Sequence, residues 1–430
     1  MDQEYNTYVE YAMSKVVIRL AVRLENQGQD GRTTVSSSPT SHVGLLTQLR
    51  NPMQKTMLAR HSRSTHKRFA FFFLFTFPLL TLFLLPFAIN PAQNSNPNPI
   101  PNPRPPRLAY LISGGDARRL RRLLRALYHP LNFYLIQFGA DTSENERVDL
   151  EGFLRTDKLV RRYRNVRVVE RECHASESGP TEVGCLLHAV AILLRKFQGW
   201  SWFLNLDVSD YPLMPQDDIL HIFSYLPREL NFIDHTSNIG SKEHERVKPI
   251  IVDPALYISN KSGVFRVTEK RSLPSSFKIF VGSPRMVLSR KFLEFCIRGW
   301  DNLPRTLLLY YSNFIHSKES YFHTVICNSN HFQNTTINHD LRFMLGIKPQ
   351  HHLFDAMAEN GAPFAHGFNT EDQELDRIDR ELLGGSQLDG QSNLGFGLPG
   401  LIRPTSRSRK MERLLLRLLE PENFRTKQCK

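Results

Sequence analysis

The order of apolar and polar positions divides this chain into segments of different character. Residues 1–66 are polar, mixed in charge and without sustained periodicity, apart from a short helix-compatible stretch from Tyr8 to Arg23, and that pattern predicts a mostly disordered tail. An uncharged apolar run, Phe69 to Ile89, follows the basic triplet His66-Lys67-Arg68. At ~1.5 Å per residue it is long enough for a ~30 Å hydrocarbon core, so residues 67–89 are expected to form a transmembrane signal anchor. Residues 90–106, rich in Pro and Asn, predict an extended, semi-rigid stem. From residue 107 the pattern becomes that of a folded domain. Strands are predicted over 107–113, 132–138 and 166–169, with helices over 118–128 and 183–197, the alternation of an α/β sheet.

The stretch that organises the rest is Trp200 to Asp218, WSWFLNLDVSDYPLMPQDD. Its apolar run Trp202 to Leu206 ends abruptly in acidic and polar residues, as a buried parallel strand does when it delivers side chains to a cleft. Asp207 and Asp210 follow that strand, and Gln216-Asp217-Asp218 reads as the first turn of a helix, with carboxylates at its positive end.

Composition narrows the class. A chain of 430 residues with 41% hydrophobic content holds one domain of ~250–300 residues plus appendages. The net charge of +13 is spread rather than striped, and no nucleic-acid-binding signature accompanies it, so a nucleic-acid partner is disfavoured. Five cysteines (Cys173, Cys185, Cys296, Cys327, Cys429) include no C-x-x-C pair, which argues against zinc and thioredoxin-type chemistry, allows one or two disulfides and leaves at least one thiol over. Arg60, Arg63, Lys67 and Arg68 crowd the N-terminal flank of the apolar run, whereas the other flank has no basic residue until Arg104; a cytosolic N-terminus and a type II membrane topology follow. The sequons at Asn260 and Asn334 then fall on the lumenal side.

The segment FLNLDVSDYPLMPQDDIL resembles the signature of the core-2/I-branching N-acetylglucosaminyltransferase family, in its plant branch of arabinogalactan glucuronosyltransferases. Residues 228–257, 277–305 and 319–342 are similar to successive blocks of that family in the same order, so the resemblance covers roughly residues 107–384. It implies a GT-A-like α/β domain with a mixed, mainly parallel sheet over 107–384, followed by a basic tail over 385–430 with a short helix. It also implies a Golgi membrane protein and an inverting glycosyltransferase taking glucuronic acid from UDP-glucuronic acid to galactan chains of arabinogalactan proteins. The alternatives are UDP-N-acetylglucosamine as donor, or a glycan-binding or partner-binding relative that has lost catalysis.

Such transfer needs a base for the acceptor hydroxyl and positive charge for the departing diphosphate. The chain has no Asp-x-Asp, and the family is known for working without metal, so no metal is expected. By resemblance Glu319 is the general base, placed at the start of a helix running through Val325; its bland reading is a carboxylate stabilising a helix dipole. Glu243, Glu245, Arg246 and Lys248, in a charged loop before a strand over 249–252, match positions that contact the acceptor. Asp210 orients the site, by contacting sugar hydroxyls or by fixing its loop. Where the family places a His-Leu-Asp triplet, this chain has Gln137-Phe138-Gly139, with Asp141 as a substitute. Gly179-Pro180-Thr181 resembles another block, and His188 reads as a core histidine. The chain departs from the family at Lys242 and Arg285, where aromatics are usual, and in Phe364-Ala365-His366-Gly367-Phe368, where Gly367 replaces a diphosphate-binding Lys. Lys348 and a protonated His366 are the remaining candidates for that contact. The segment 410–420 predicts a basic helix docked on the domain.

Overall fold

The computed structural model describes residues 105–139, 142–170, 173–257, 263–299, 301–346, 353–369, 373–384 and 402–429. The expected tail, anchor and stem over 1–106 lie outside them except for residues 105 and 106, and no helix among the described residues is long and apolar enough to cross a membrane.

Among the described residues, twelve strands occur in chain order: β1 (Leu108–Gly114), β2 (Phe133–Phe138), β3 (Val166–Val168), β4 (Trp202–Asp207), β5 (Asp210–Pro212), β6 (Asn231–Ile233), β7 (Pro249–Val252), β8 (Phe265–Lys270), β9 (Met286–Ser289), β10 (Thr336–Ile337), β11 (Arg342–Met344) and β12 (Phe364–His366). Seven form the main sheet in the order β10-β6-β9-β4-β1-β2-β3, with β9 antiparallel to both its neighbours and every other pair parallel. The mixed, mainly parallel sheet expected from the sequence is therefore present. Successive side chains of a strand point to opposite faces. Tyr110 and Ile112 of β1 and Trp202, Leu204 and Leu206 of β4 accordingly enter one core, while Ala109, Leu111 and Phe203 enter another on the opposite face. Burial on both faces is why these strands read as continuous apolar runs.

The chain leaves β1 towards β2 and β3 and returns on its other side as β4. Connections diverging from adjacent strand ends open a crevice there, the usual ligand position of an open α/β sheet. Ser113 and Asp207 are register partners at that edge. Beyond it, a three-stranded sheet of order β11-β12-β5 pairs Asp210 with His366 and Met344 with His366.

The segment read as a tail over 385–430 is part of the folded body from Ile402 onward. Met411, Leu414 and Leu415 of the helix Ser408–Leu419 complete the first core. The amides of Arg403 and Thr405 donate to Asp217 and Asp218, so the carboxylates that begin the helix Gln216–Ser224 hold the C-terminal segment as well as facing the helix dipole. Two disulfides, Cys173–Cys185 and Cys327–Cys429, leave Cys296 as a buried free thiol among the described residues.

Candidate active site

Two charged clusters flank the segment Gly282 to Arg285. The first lies at the end of β4. Asp210 turns back so that its carboxylate accepts the Asp207 amide at 2.8 Å, while Asp207 accepts the Ser209 amide at 2.8 Å and the Ser209 hydroxyl. Arg285 Nη2 donates to Asp207 at 2.9 Å and lies 2.7 Å from His366 Nε2, with its Nε 3.4 Å from Asp210. Since a guanidinium can only donate, His366 Nε2 accepts, and its Nδ1–H is left to donate to Asp210 at 3.1 Å. Behind them Arg342, with no exposed side-chain surface, places Nε 3.8 Å from Asp210 and donates to the Asn205 carbonyl. Burial works against the charge of Asp207, but Arg285 and the two Ser209 donors outweigh it and hold the carboxyl below its ordinary range.

The second cluster surrounds Glu319. Its carboxylate forms an ion pair with Arg246 and lies 3.9 Å from His316 Nδ1. Burial, and then the neighbouring Arg246, push the His316 imidazole below its ordinary value. Glu182, in the first turn of the helix Thr181–Lys196, is raised by burial first, with the Glu319 charge adding to the effect, so a second carboxylate faces the same region.

The two clusters are mechanically connected. The Gly282 amide donates to the Glu319 carbonyl at 2.9 Å, and three residues later Arg285 reaches the first cluster. Asn205 of β4 holds the segment between them, donating to the Pro284 carbonyl and accepting the Met286 amide, each at 2.9 Å. A Cβ on Gly282 would lie 1.8 Å from the Asp234 carbonyl oxygen, so only glycine lets the segment run this close to its neighbour.

These contacts correct several expectations. Glu319 ends a tight turn, Ser317–Glu319, rather than opening the following helix, which begins at Tyr321. The break is at Ser320, whose hydroxyl donates to the Phe280 carbonyl and bonds Tyr311, pinning the residue away from helical geometry. Glu319 therefore lies just before the N-cap, outside the first turn of that helix. The charged loop is a π-helical turn, Glu243–Val247, closed by the Lys248 amide on the Glu243 carbonyl. Glu243 and Lys248 pair with each other at 2.9 Å, and Glu245 stands exposed with its carbonyl towards Arg266, so Arg246 is the one of the four that meets Glu319. Asp210 has no exposed side-chain surface, which selects loop fixing over contact with sugar hydroxyls. His366 lies 2.7 Å from Arg285 Nη2 and so positions that cation. Gly367 has φ +110, and a Cβ there would lie 3.1 Å from Leu345 Cβ; backbone geometry requires glycine at this position. His188 is half-buried on its helix. Lys348 and Asp141 lie outside the described residues.

Sequence reasoning did not name Asp207 or Arg342 as site residues, and it held Arg285 both as a departure and as one of four candidate cations for the donor carboxylate, beside Arg246, Lys248 and Lys348. An Asp at a strand end was a visible signal; the approach of Arg342, 135 positions further along, depends on the small sheet that carries it.

Asp207, Asp210 and His366 offer three ligand atoms within 4.8 Å of one another, a spacing a metal ion could use. They do not fit one as arranged, because the Arg285 guanidinium already occupies the region between Asp207 and His366 and is bonded to both.

An α/β sheet with a carboxylate cluster and a cation-rich cluster beside it is an arrangement suited to group transfer. The family model described as Core-2/I-Branching enzyme matches residues 108–354, and the chain belongs to that family. It is 52% identical over 336 residues to Beta-glucuronosyltransferase GlcAT14C of Arabidopsis thaliana, covering 76% of this chain and 85% of that protein. To Beta-glucuronosyltransferase GlcAT14A of the same plant it is 51% identical over 350 residues, covering 76% and 78%. The chain is a glycosyltransferase, with the α/β fold and mixed sheet of that class. The structure of mouse xyloside xylosyltransferase 1 aligns over 61% of this chain and 97% of its own with a TM-score of 0.31 and 12% identity, a likeness too loose to carry an argument.

Proposed function

We propose that this glycosyltransferase moves glucuronic acid from UDP-glucuronic acid to galactan chains of arabinogalactan proteins, with inversion and without a metal. The observation that carries the reading is the 52% identity to a beta-glucuronosyltransferase across most of both chains. The Glu319 carboxylate takes the proton of the acceptor hydroxyl as that oxygen bonds the anomeric carbon and the bond to UDP breaks on the opposite face. Arg246 neutralises Glu319 in the free enzyme and is released towards the acceptor or the donor carboxylate as the sugars enter. Arg285, held by Asp207 and His366, meets the growing charge of the diphosphate in place of a metal. Anchorage by residues 69–89 in the Golgi membrane, with residues 107–430 lumenal, belongs to the same reading; protease digestion of a lumenal tag in sealed vesicles without detergent would refute it.

The test is a panel of UDP-sugars with the full-length chain in detergent and galactan acceptors, with and without EDTA. Transfer of glucuronic acid, unchanged by EDTA, is expected. Transfer of N-acetylglucosamine alone would overturn the donor, and binding of galactan without turnover of any donor would overturn catalysis.

A further inference from the structure

We propose that His235, Cys327 and Cys429 form a zinc-binding site in the chain whose Cys327–Cys429 bridge is reduced. A ring nitrogen of His235 and the two sulfurs lie within 4.8 Å of one another, although the three residues come from different parts of the chain. His235 is 4% exposed, and its Nε2 has no hydrogen-bond partner among the described residues. Its Nδ1 lies 2.8 Å from the Ile233 carbonyl. A carbonyl only accepts, so Nδ1 carries the proton and Nε2 presents its lone pair. A backbone carbonyl on the far nitrogen is also the outer contact by which proteins orient a metal-binding histidine.

The chemistry balances. A two-electron reductant of the phosphine or dithiol class opens the bridge to two thiols, and a zinc ion then displaces both thiol protons to solvent. Two thiolates, one neutral imidazole and one Zn²⁺ carry no net charge, which suits a buried position. Sulfur and imidazole are the ligands zinc prefers; three of them leave the fourth place to water. Thr336 Oγ1, 3.5 Å from Cys429 Sγ, is a polar neighbour for that water. Disulfide and metal are mutually exclusive uses of the same atoms, and each ties the C-terminal segment to the helix Tyr321–Cys327, which follows the Glu319 turn. The site uses none of the residues of the proposed chemistry and stands whatever the donor sugar is.

Cobalt substitution tests it. The full-length chain, reduced with a phosphine under anaerobic conditions, should bind a single Co²⁺ with thiolate-to-cobalt charge-transfer absorption that zinc abolishes, and the oxidised chain should show no such band. Cys429→Ser should remove the band. His235→Asn, which keeps a donor near the Ile233 carbonyl, should weaken cobalt binding by about tenfold or more. The pair Cys173→Ser with Cys185→Ser should leave the band in place. A band that survives Cys429→Ser, or an affinity untouched by His235→Asn, would overturn the proposal. Because substituted chains can misfold, the wild type supplies a second measurement: zinc should raise the melting temperature of the reduced chain and protect Cys429 from alkylation, and failure of either overturns the site.

Discussion

Removing the Cys327–Cys429 bridge with Cys327→Ser and Cys429→Ser should cost far more stability than removing Cys173–Cys185 with the same substitutions. The two bridges close loops of very different length, with sequence separations of 102 and 12. If cross-links act chiefly on the unfolded chain, the loop-entropy relation gives about 4.7 kcal/mol for the longer loop and about 2.8 kcal/mol for the shorter, a difference of about 2 kcal/mol. The longer bridge also retains a segment whose Met411, Leu414 and Leu415 are buried in the core, so its loss exposes that contact to fraying. Urea unfolding of each double variant beside the wild type, with slope and midpoint fitted together, reads both quantities. A steeper slope is expected for the variant lacking Cys327–Cys429, because its unfolded chain is less confined and exposes more surface. Equal losses, or a larger loss from the short loop, would refute the entropic reasoning and place the stabilisation in native contacts.

Glu319→Gln should lower turnover by about 10²–10⁴-fold with donor affinity nearly unchanged and a melting temperature close to wild type, since the turn is held by the Glu319 carbonyl and not by its carboxylate; single-turnover rates check it, and an unaffected rate refutes the base. Arg285→Met should weaken UDP binding measured by calorimetry by about 1.5–3 kcal/mol, the scale of one charge-assisted hydrogen bond, with His366→Ala causing a smaller loss through the loosened guanidinium. Burial holds the His323 imidazole down at about 3, against an ordinary 6.5. The unfolded chain therefore binds the extra proton between those values, and the contribution of this residue is complete above about pH 6.5 and lost progressively towards about pH 3. His323→Gln, which keeps a donor for the Ser283 carbonyl, should flatten the fall of the urea midpoint across that window.

The sequence by itself was enough for the alternation of strands and helices from residue 107, since strands buried on both faces leave continuous apolar runs that survive without any tertiary information. It was also enough for the family, because several blocks in a fixed order are far more specific than any one of them. Asp210 and Glu319 were singled out from those blocks. Their partners were not. Arg285 reaches Asp207 across a separation of 78 residues, His366 reaches Asp210 across 156, and Arg246 reaches Glu319 across 73. None of these has a local period or a spacing to reveal it, because each pairing is created by strand order and by the close passage that Gly282 permits. The same holds for Gly367, which reads in the sequence as a lost lysine and in the fold as a backbone with positive φ. Charge and residue type are written locally, whereas which charge neutralises which is decided only when the sheet brings distant segments to one edge.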